Sequence, residues 1–246
     1  MSSKPPNHID LYVRAGSDGS CYGACPVCQQ IFMALLLKGH TKELQFTVTT
    51  INMAKPPETY RQLSTRVPVI VHQERVMEDA NEIAQYLDLN FHDVDLAYGA
   101  GGGGKPAEKA TENFFSKFAF YMREVTTDPA QLLSELSRLD TFLGGAAADT
   151  TYLCGDEMTH LDCIVLPKLQ HVRVAARALK GFDIPATLTH LWRYLGNAYA
   201  SDVFKKTCPS DYEIAFAWSQ KPGIPRLTAK REAELKCRGT SLDVPN

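Results

Sequence analysis

Residues 24–39 read Ala24-Cys25-Pro26-Val27-Cys28-Gln-Gln-Ile31-Phe-Met-Ala-Leu-Leu-Leu37-Lys38-Gly39. Val27, Ile31, Phe32, Ala34, Leu35, Leu36 and Leu37 predict a helix that runs to Lys38 and ends at Gly39. Pro26 suits the first helical position, where its missing N–H costs nothing, so Cys25 falls at or next to the N-cap. There its sulfur faces unpaired backbone N–H groups and the positive end of the helix dipole. Both favour thiolate and lower the pKa from about 8.5 into the ~3.5–7.5 range of such sites. Cys25 is the candidate nucleophile. Cys28, one turn further in, is placed to form a disulfide with it or to attack a mixed disulfide on it. The competing reading is a zinc half-site, but a closed zinc site needs four ligands. No second Cys-x-x-Cys and no His pair at ligand spacing is present, so no metal is expected. Cys21, four residues before Cys25, is a possible third redox participant, although a small loop residue is the simpler account.

Upstream, Ile9-Asp-Leu-Tyr-Val-Arg14 alternates as a strand does, and downstream so does Phe46-Thr-Val-Thr-Thr-Ile51. Strand, helix, strand opens a parallel unit, the context in which Cys-x-x-Cys reads as thioredoxin-like. Val69-Ile-Val71 after Pro68 is a third, short strand. Asp79 with Glu82 three residues later marks a helix start, with Ile83, Tyr86 and Leu87 on one face as far as about Asn90. This organisation predicts a thioredoxin-like α/β domain over residues 1–97. Tyr98 to Lys105, with its run of glycines, reads as a linker over 98–105. Its likeness to a phosphate-binding loop fails, because Pro106 stands where Ser or Thr is needed and no strand precedes it.

From 106 to 218 the pattern is helical, with segments at roughly 106–125, 129–143, 160–179 and 186–200. Thr159 and Asp162 form a capping-type start, and Pro167 lies inside the helix that follows. Leu132, Leu133, Leu136, Leu139 and Phe142 make a core stripe. Cys154 and Cys163 are expected to be small buried residues. The seven histidines are dispersed; His160 and His171 are read as surface or helix-cap residues. Residues 219–246, polar and punctuated by proline, are expected to form a loosely held tail.

The chain has 246 residues, 44% hydrophobic and 22% charged, with a net charge of -2. This is the balance of a packed globular protein, and no long-range field recruits nucleic acid. The N-terminal stretch lacks the pattern of a secretory signal or transit peptide, so a cytoplasmic location is expected. Seven cysteines are too few and scattered for a disulfide-stapled scaffold.

Several stretches, taken in order, resemble the chloride intracellular channel family: Arg14-Ala-Gly-Ser-Asp-Gly19, Cys25-Pro-Val-Cys28, Phe32-Met-Ala-Leu-Leu-Leu37-Lys-Gly39, Leu166-Pro-Lys-Leu169, Gly181-Phe-Asp-Ile-Pro185, Trp192-Arg-Tyr-Leu195, Asn197-Ala-Tyr199 and Cys208-Pro209. The resemblance covers roughly residues 8–217. It implies a glutathione-transferase-like fold, a thioredoxin-like domain followed by an all-helical one. It further implies glutathione-dependent, glutaredoxin-like activity in one form. In another form it implies membrane insertion, with lipid and chloride as partners and a homo-oligomer in the membrane. Carried over by position, Cys25 matches the reactive cysteine, Val67-Pro68 the cis pair that holds the glutathione backbone, and Asp79 the acidic residue opening the next helix. Related folds place Ser or Thr after that acid, whereas this chain has Ala80. The missing hydroxyl lowers the expected glutathione affinity by about 0.5–1.5 kcal/mol. The basic nuclear-import stretch of some members is reduced to Arg177-Ala-Leu-Lys180, so nuclear localisation is not expected.

The family's proposed membrane segment would run from about Cys25 to Val48. Lys38, Lys42 and Glu43 interrupt it, at ~2.5–3.5 kcal/mol each near a bilayer centre. The charge-free run Gly19–Leu37 has 19 residues but includes Ser20, Gly23, Gln29 and Gln30. Its resting state therefore reads as a buried core helix. The alternative to an oxidoreductase is a transport or scaffold protein whose cysteines only gate membrane association.

Overall fold

The computed structural model describes residues 5–40, 44–99 and 104–245. Lys42 and Glu43, and Ala100 to Gly103 of the Gly-rich stretch, lie outside the described residues. The chain divides into two compact units, Met1–Leu96 and Ala97–Asn246.

The first unit is built on a four-stranded sheet of order β2-β1-β3-β4, with β1 His8–Arg14, β2 Gln45–Ile51, β3 Val69–His72 and β4 Arg75–Met77. Strand β1 pairs in parallel with β2, Leu11 opposite Val48, and antiparallel with β3, Leu11 opposite Ile70. Helix α1 (Pro26–Lys38) supplies the parallel crossover, followed by the short α2 (Glu58–Arg61) and then α3 (Ala80–Asn90). Alternation along β1 sends Ile9, Leu11 and Val13 into a cluster with Ile31, Leu35, Ile70, Ile83 and Leu87, all essentially inaccessible to solvent. Each such side chain contributes roughly 1.5–3 kcal/mol of burial. Asp79 caps α3 as expected, its Oδ1 accepting from the N–H groups of Asn81 and Glu82 at 2.9 and 3.0 Å. At the far end of α1, the buried Lys38 ammonium donates to the Asp88 carboxylate at 2.7 Å and to the Phe91 carbonyl at 3.0 Å, which ties α1 to α3.

The second unit is helical. It comprises α4 (Gly104–Thr111), α5 (Phe114–Met122), α6 (Ala130–Gly144), α7 (His160–Lys180), α8 (Thr189–Ala200), α9 (Asp202–Thr207), α10 (Asp211–Ser219) and α11 (Ala229–Arg238). Leu132, Leu136, Leu139 and Leu143 are the buried stripe of α6. The capping box at Thr159 and Asp162 forms, and Gly181 closes α7 in the left-handed conformation, φ 68°.

Several expectations are corrected. Helix begins at Gly104, inside the stretch read as linker, and the segment read as one helix over 106–125 breaks between α4 and α5 at Glu112-Asn113. Residues 219–246 are not a loose tail: they carry α11, and Ser241 and Asp243 bond to Gln170, Arg173 and Asp211. His160 and His171 are buried, and His171 Nδ1 accepts from Trp218 Nε1 at 2.9 Å. Cys163 is fully buried, whereas Cys154 is only half-buried. Among the described residues no helix is long and apolar enough to cross a membrane.

Candidate active site at the mouth of the first helix

Strand β1 ends at Arg14 and the chain loops back on itself. Ala15 bridges to Tyr22, and the Gly23 N–H donates to the Arg14 carbonyl at 2.9 Å. A side chain at position 23 would lie 2.4 Å from the Ala15 carbonyl oxygen, so this return needs glycine. Asp18 holds the loop, its Oδ1 accepting from the Ser20 and Cys21 N–H groups at 2.8 and 2.7 Å. The chain then enters α1 with Cys25 as N-cap in extended conformation and Pro26 first in the helix.

The Cys25 thiol is held down to about 6. The largest cause is the Cys28 thiol, which donates to the Cys25 sulfur; burial acts against it. The N–H groups of Cys28 and Val27 and the positive charge of Arg14 add to the lowering. Sγ lies beside those N–H groups without closing a full capping bond. The helix mouth, which the sequence put first, therefore ranks behind the neighbouring thiol. Cys28 itself is fully buried, and burial pushes its thiol well above the ordinary range. The proton thus sits on Cys28 and the charge on Cys25. Replacing Cys28 by Ala removes the leading donor, so the Cys25 titration midpoint is expected to rise by about one unit or more. The pH dependence of thiol alkylation reads this directly, and an unchanged midpoint contradicts it.

The other candidate residues arrive from β3 and α3. In the antiparallel register Val69 faces Tyr12, so Val67 and Pro68 lie at the end of the sheet from which β1 leaves for Cys25. The Val67–Pro68 bond is cis. Cys25, Val67 and Ala80 all pack against the same buried cluster. Two contacts not foreseen in the sequence position this edge. The Tyr60 hydroxyl donates to the Arg66 carbonyl, and the Arg66 guanidinium pairs with Glu78 at 2.5 Å, next to Asp79. Asp79 is exposed, and both of its capping bonds use Oδ1. Its second oxygen is open to an incoming amine.

This donor set fits glutathione: a thiolate for its sulfur chemistry, main chain at Val67 for its backbone, and a carboxylate oxygen for its amino group. Ala80 offers no hydroxyl there. Arg14, Tyr60 and Arg66 were missed because their roles depend on strand pairing, and the sequence carried no local signal for them. Among the described residues no cluster of His, Cys, Asp and Glu could hold a metal ion.

Fold and site define a class, a glutathione-transferase-like protein with a cysteine at the N-cap of its first helix. Residues 7–92 match the CLIC-like N-terminal domain, and residues 124–197 match the glutathione S-transferase C-terminal domain. The chain is 33% identical over 233 residues to chloride intracellular channel exl-1 of Caenorhabditis elegans, covering 92% of this chain and 94% of that relative. It belongs to the chloride intracellular channel family. The crystal structure of the family homologue EXC-4 from C. elegans matches with a TM-score of 0.82 at 25% identity, over 100% of this chain and 93% of that one. The dehydroascorbate reductase of Chlamydomonas reinhardtii shares the fold, with a TM-score of 0.75 at 22% identity, over 88% and 99% of the two chains.

Proposed function

We propose that the protein is a glutathione-dependent thiol–disulfide oxidoreductase of the glutaredoxin kind, with Cys25 as nucleophile. The observation that carries this reading is the Cys25 sulfur, lowered to about 6 and half-buried beside a protonated Cys28. At neutral pH roughly nine-tenths of such a thiol is thiolate. Cys25 Sγ attacks one sulfur of a disulfide or glutathionylated substrate; the old S–S bond breaks and the other sulfur leaves as a thiolate that takes a proton from solvent. A first thiolate of reduced glutathione displaces the substrate thiol from the mixed disulfide, leaving glutathione bonded to Cys25, and a second attacks that glutathione sulfur, giving oxidised glutathione and returning Cys25. Two electrons thus pass from two glutathione thiols to a substrate disulfide, whereas a glutathionylated substrate brings the first of the two glutathiones itself.

Cys28 is a poor resolving thiol, because burial keeps its proton on and only thiolate attacks. Its part is to donate a hydrogen bond to Cys25, which leaves resolution to glutathione. Val67, Pro68 and Asp79 hold the glutathione backbone and amino group. Ala80 weakens that hold, so Ala80→Ser is expected to tighten glutathione binding by about 1 kcal/mol, roughly fivefold. Calorimetric titration checks this, and unchanged or weaker binding contradicts it. Turnover of a small disulfide with reduced glutathione tests the whole reading; none above the buffer rate removes it.

The family supports a second activity: reversible membrane association of a cytoplasmic protein, with homo-oligomers conducting chloride in the inserted form. Here α1 has 13 residues, short of the ~20 that span a bilayer, and its Lys38 is tied to Asp88 and Phe91. Insertion therefore requires the first unit to release α1. Oxidation at Cys25, Cys28 or Cys21 acts at the start of that segment and favours release. Liposome flotation of reduced and oxidised protein tests this, with more binding expected after oxidation; equal, negligible binding in both states contradicts it.

A further inference from the structure

A second site is carried by the helical unit alone. Helix α11 packs on α10 and meets the last turn of α7 through Arg231, whose Nη2 donates to the Arg177 carbonyl at 3.4 Å. The strap after α11 is clamped at Ser241. The Ser241 carbonyl accepts from Gln170 and Arg173 at 3.0 and 3.1 Å, and its N–H and hydroxyl donate to Asp211. Asp243 then accepts from Arg173 Nη2 at 2.9 Å. Beside this clamp lie two cavities, the first lined in part by Arg173, Arg177, Arg231 and Arg238, the second sharing Arg177 and Arg238 with it. The larger, about 330 Å³, is lined by Arg177, Arg238, Thr240, Ser241 and Asp243. That volume lies within the ~300–1,000 Å³ of small-ligand sites.

The carboxylates nearby are engaged: Asp243 with Arg173, Asp211 with Ser241, and Glu234 with Arg231 at 3.1 Å. Arg177 pairs with Asp183 at 3.3 Å, but both groups are more than half exposed, and such pairs hold weakly. Arg238 has no ion pair among the described residues. Arg177 and Arg238 thus line one cavity together with Asp243, whose carboxylate is held by Arg173 and also feels the Arg177 charge. A guanidinium fork matches the oxygens of phosphate.

We propose that this cleft binds a phosphoryl anion, a pyrophosphate or phosphomonoester group, through Arg177 and Arg238. Asp243 is an internal competitor: its carboxylate repels the incoming anion and already occupies Arg173. By linkage, a bound anion weakens the hold of Asp243 on Arg173 and loosens the strap.

Calorimetric titration of the full chain with pyrophosphate tests the proposal, run beside sedimentation with phosphatidylcholine vesicles that contain or lack phosphatidylinositol bisphosphate. Binding of at least one probe is expected. Arg177→Gln and Arg238→Gln, both at exposed or half-exposed positions, are each expected to weaken it about tenfold, and Asp243→Asn to strengthen it severalfold. Vesicle binding lost in the same arginine variants assigns the phosphate to a lipid headgroup; pyrophosphate binding alone assigns it to a free phosphate. Two results overturn the proposal: no binding of either probe by wild type and Asp243→Asn, or binding unchanged in the double arginine variant.

Discussion

Cys25→Ser is expected to lower glutathione-dependent disulfide turnover by at least ~10²-fold while the fold persists. A hydroxyl at the same N-cap is a good helix start, so stability is retained. Its proton stays on near neutral pH, however, because neither the Cys28 thiol nor Arg14 is a base able to remove it. Cys28→Ser behaves differently. Serine still donates toward Cys25, so turnover should fall by no more than ~3-fold, since resolution belongs to external glutathione. Steady-state rates for the two variants separate the roles. Equal, severe loss in both makes Cys28 the resolving thiol and contradicts the mechanism above.

The largest stability effect is expected at Asp162. Its carboxylate is fully buried and accepts four hydrogen bonds: from the Leu153 N–H at 3.1 Å, the Thr159 N–H and hydroxyl at 2.9 and 2.8 Å, and the buried Tyr194 hydroxyl at 2.8 Å. Asp162→Ala dissolves the capping box of α7 and leaves a fully buried phenol and two N–H groups without acceptors. A lost cap costs about 1 kcal/mol and each orphaned buried donor about 1–3. With relaxation of the surrounding loop, about 3–5 kcal/mol is expected, a fall in melting temperature of roughly 10 °C. Thermal unfolding followed by circular dichroism measures it. A fall of no more than 1–2 °C means that the cluster does not hold α7 to the 151–159 loop.

The two opening strands were legible because β1 and β2 alternate with period two, and α1, which is buried nearly all round, because proline followed by an apolar run closed by glycine fixes where it begins and ends. The same reasoning placed Cys25 at the cap. It did not rank the Cys28 thiol above the helix mouth, because that ranking needs the burial of Cys28, a product of the α1 face packed on β1. Strand β4 was invisible: three residues follow a two-residue Gln73-Glu74 turn with φ 57° at Gln73, and no Gly or Asn announces it. Helices α9 and α10 did carry a signal, since Ser201 and Ser210 accept from N–H groups of the turns they open, and Glu213 follows Ser210 at capping-box spacing. The C-terminal segment misled through composition. Its order comes from a Thr228 cap and the Glu232–Lys236 pair at 2.7 Å, both local, and from Arg173 and Asp211, which are distant in sequence.

The charge on one sulfur underlies the enzymatic account, and it has a thermodynamic signature. Folding lowers the Cys25 thiol to about 6, so between that value and the ~8.5 of free cysteine the native state binds fewer protons than the unfolded chain. The resulting stabilisation is complete above about pH 9 and is lost as pH falls through about 6. The direct measurement is the rate of Cys25 alkylation by iodoacetamide against pH, with the modified residue identified by mass spectrometry. A midpoint near 6 is the expected result. A midpoint at or above the ~8.5 of free cysteine contradicts the assignment of Cys25 as an activated nucleophile.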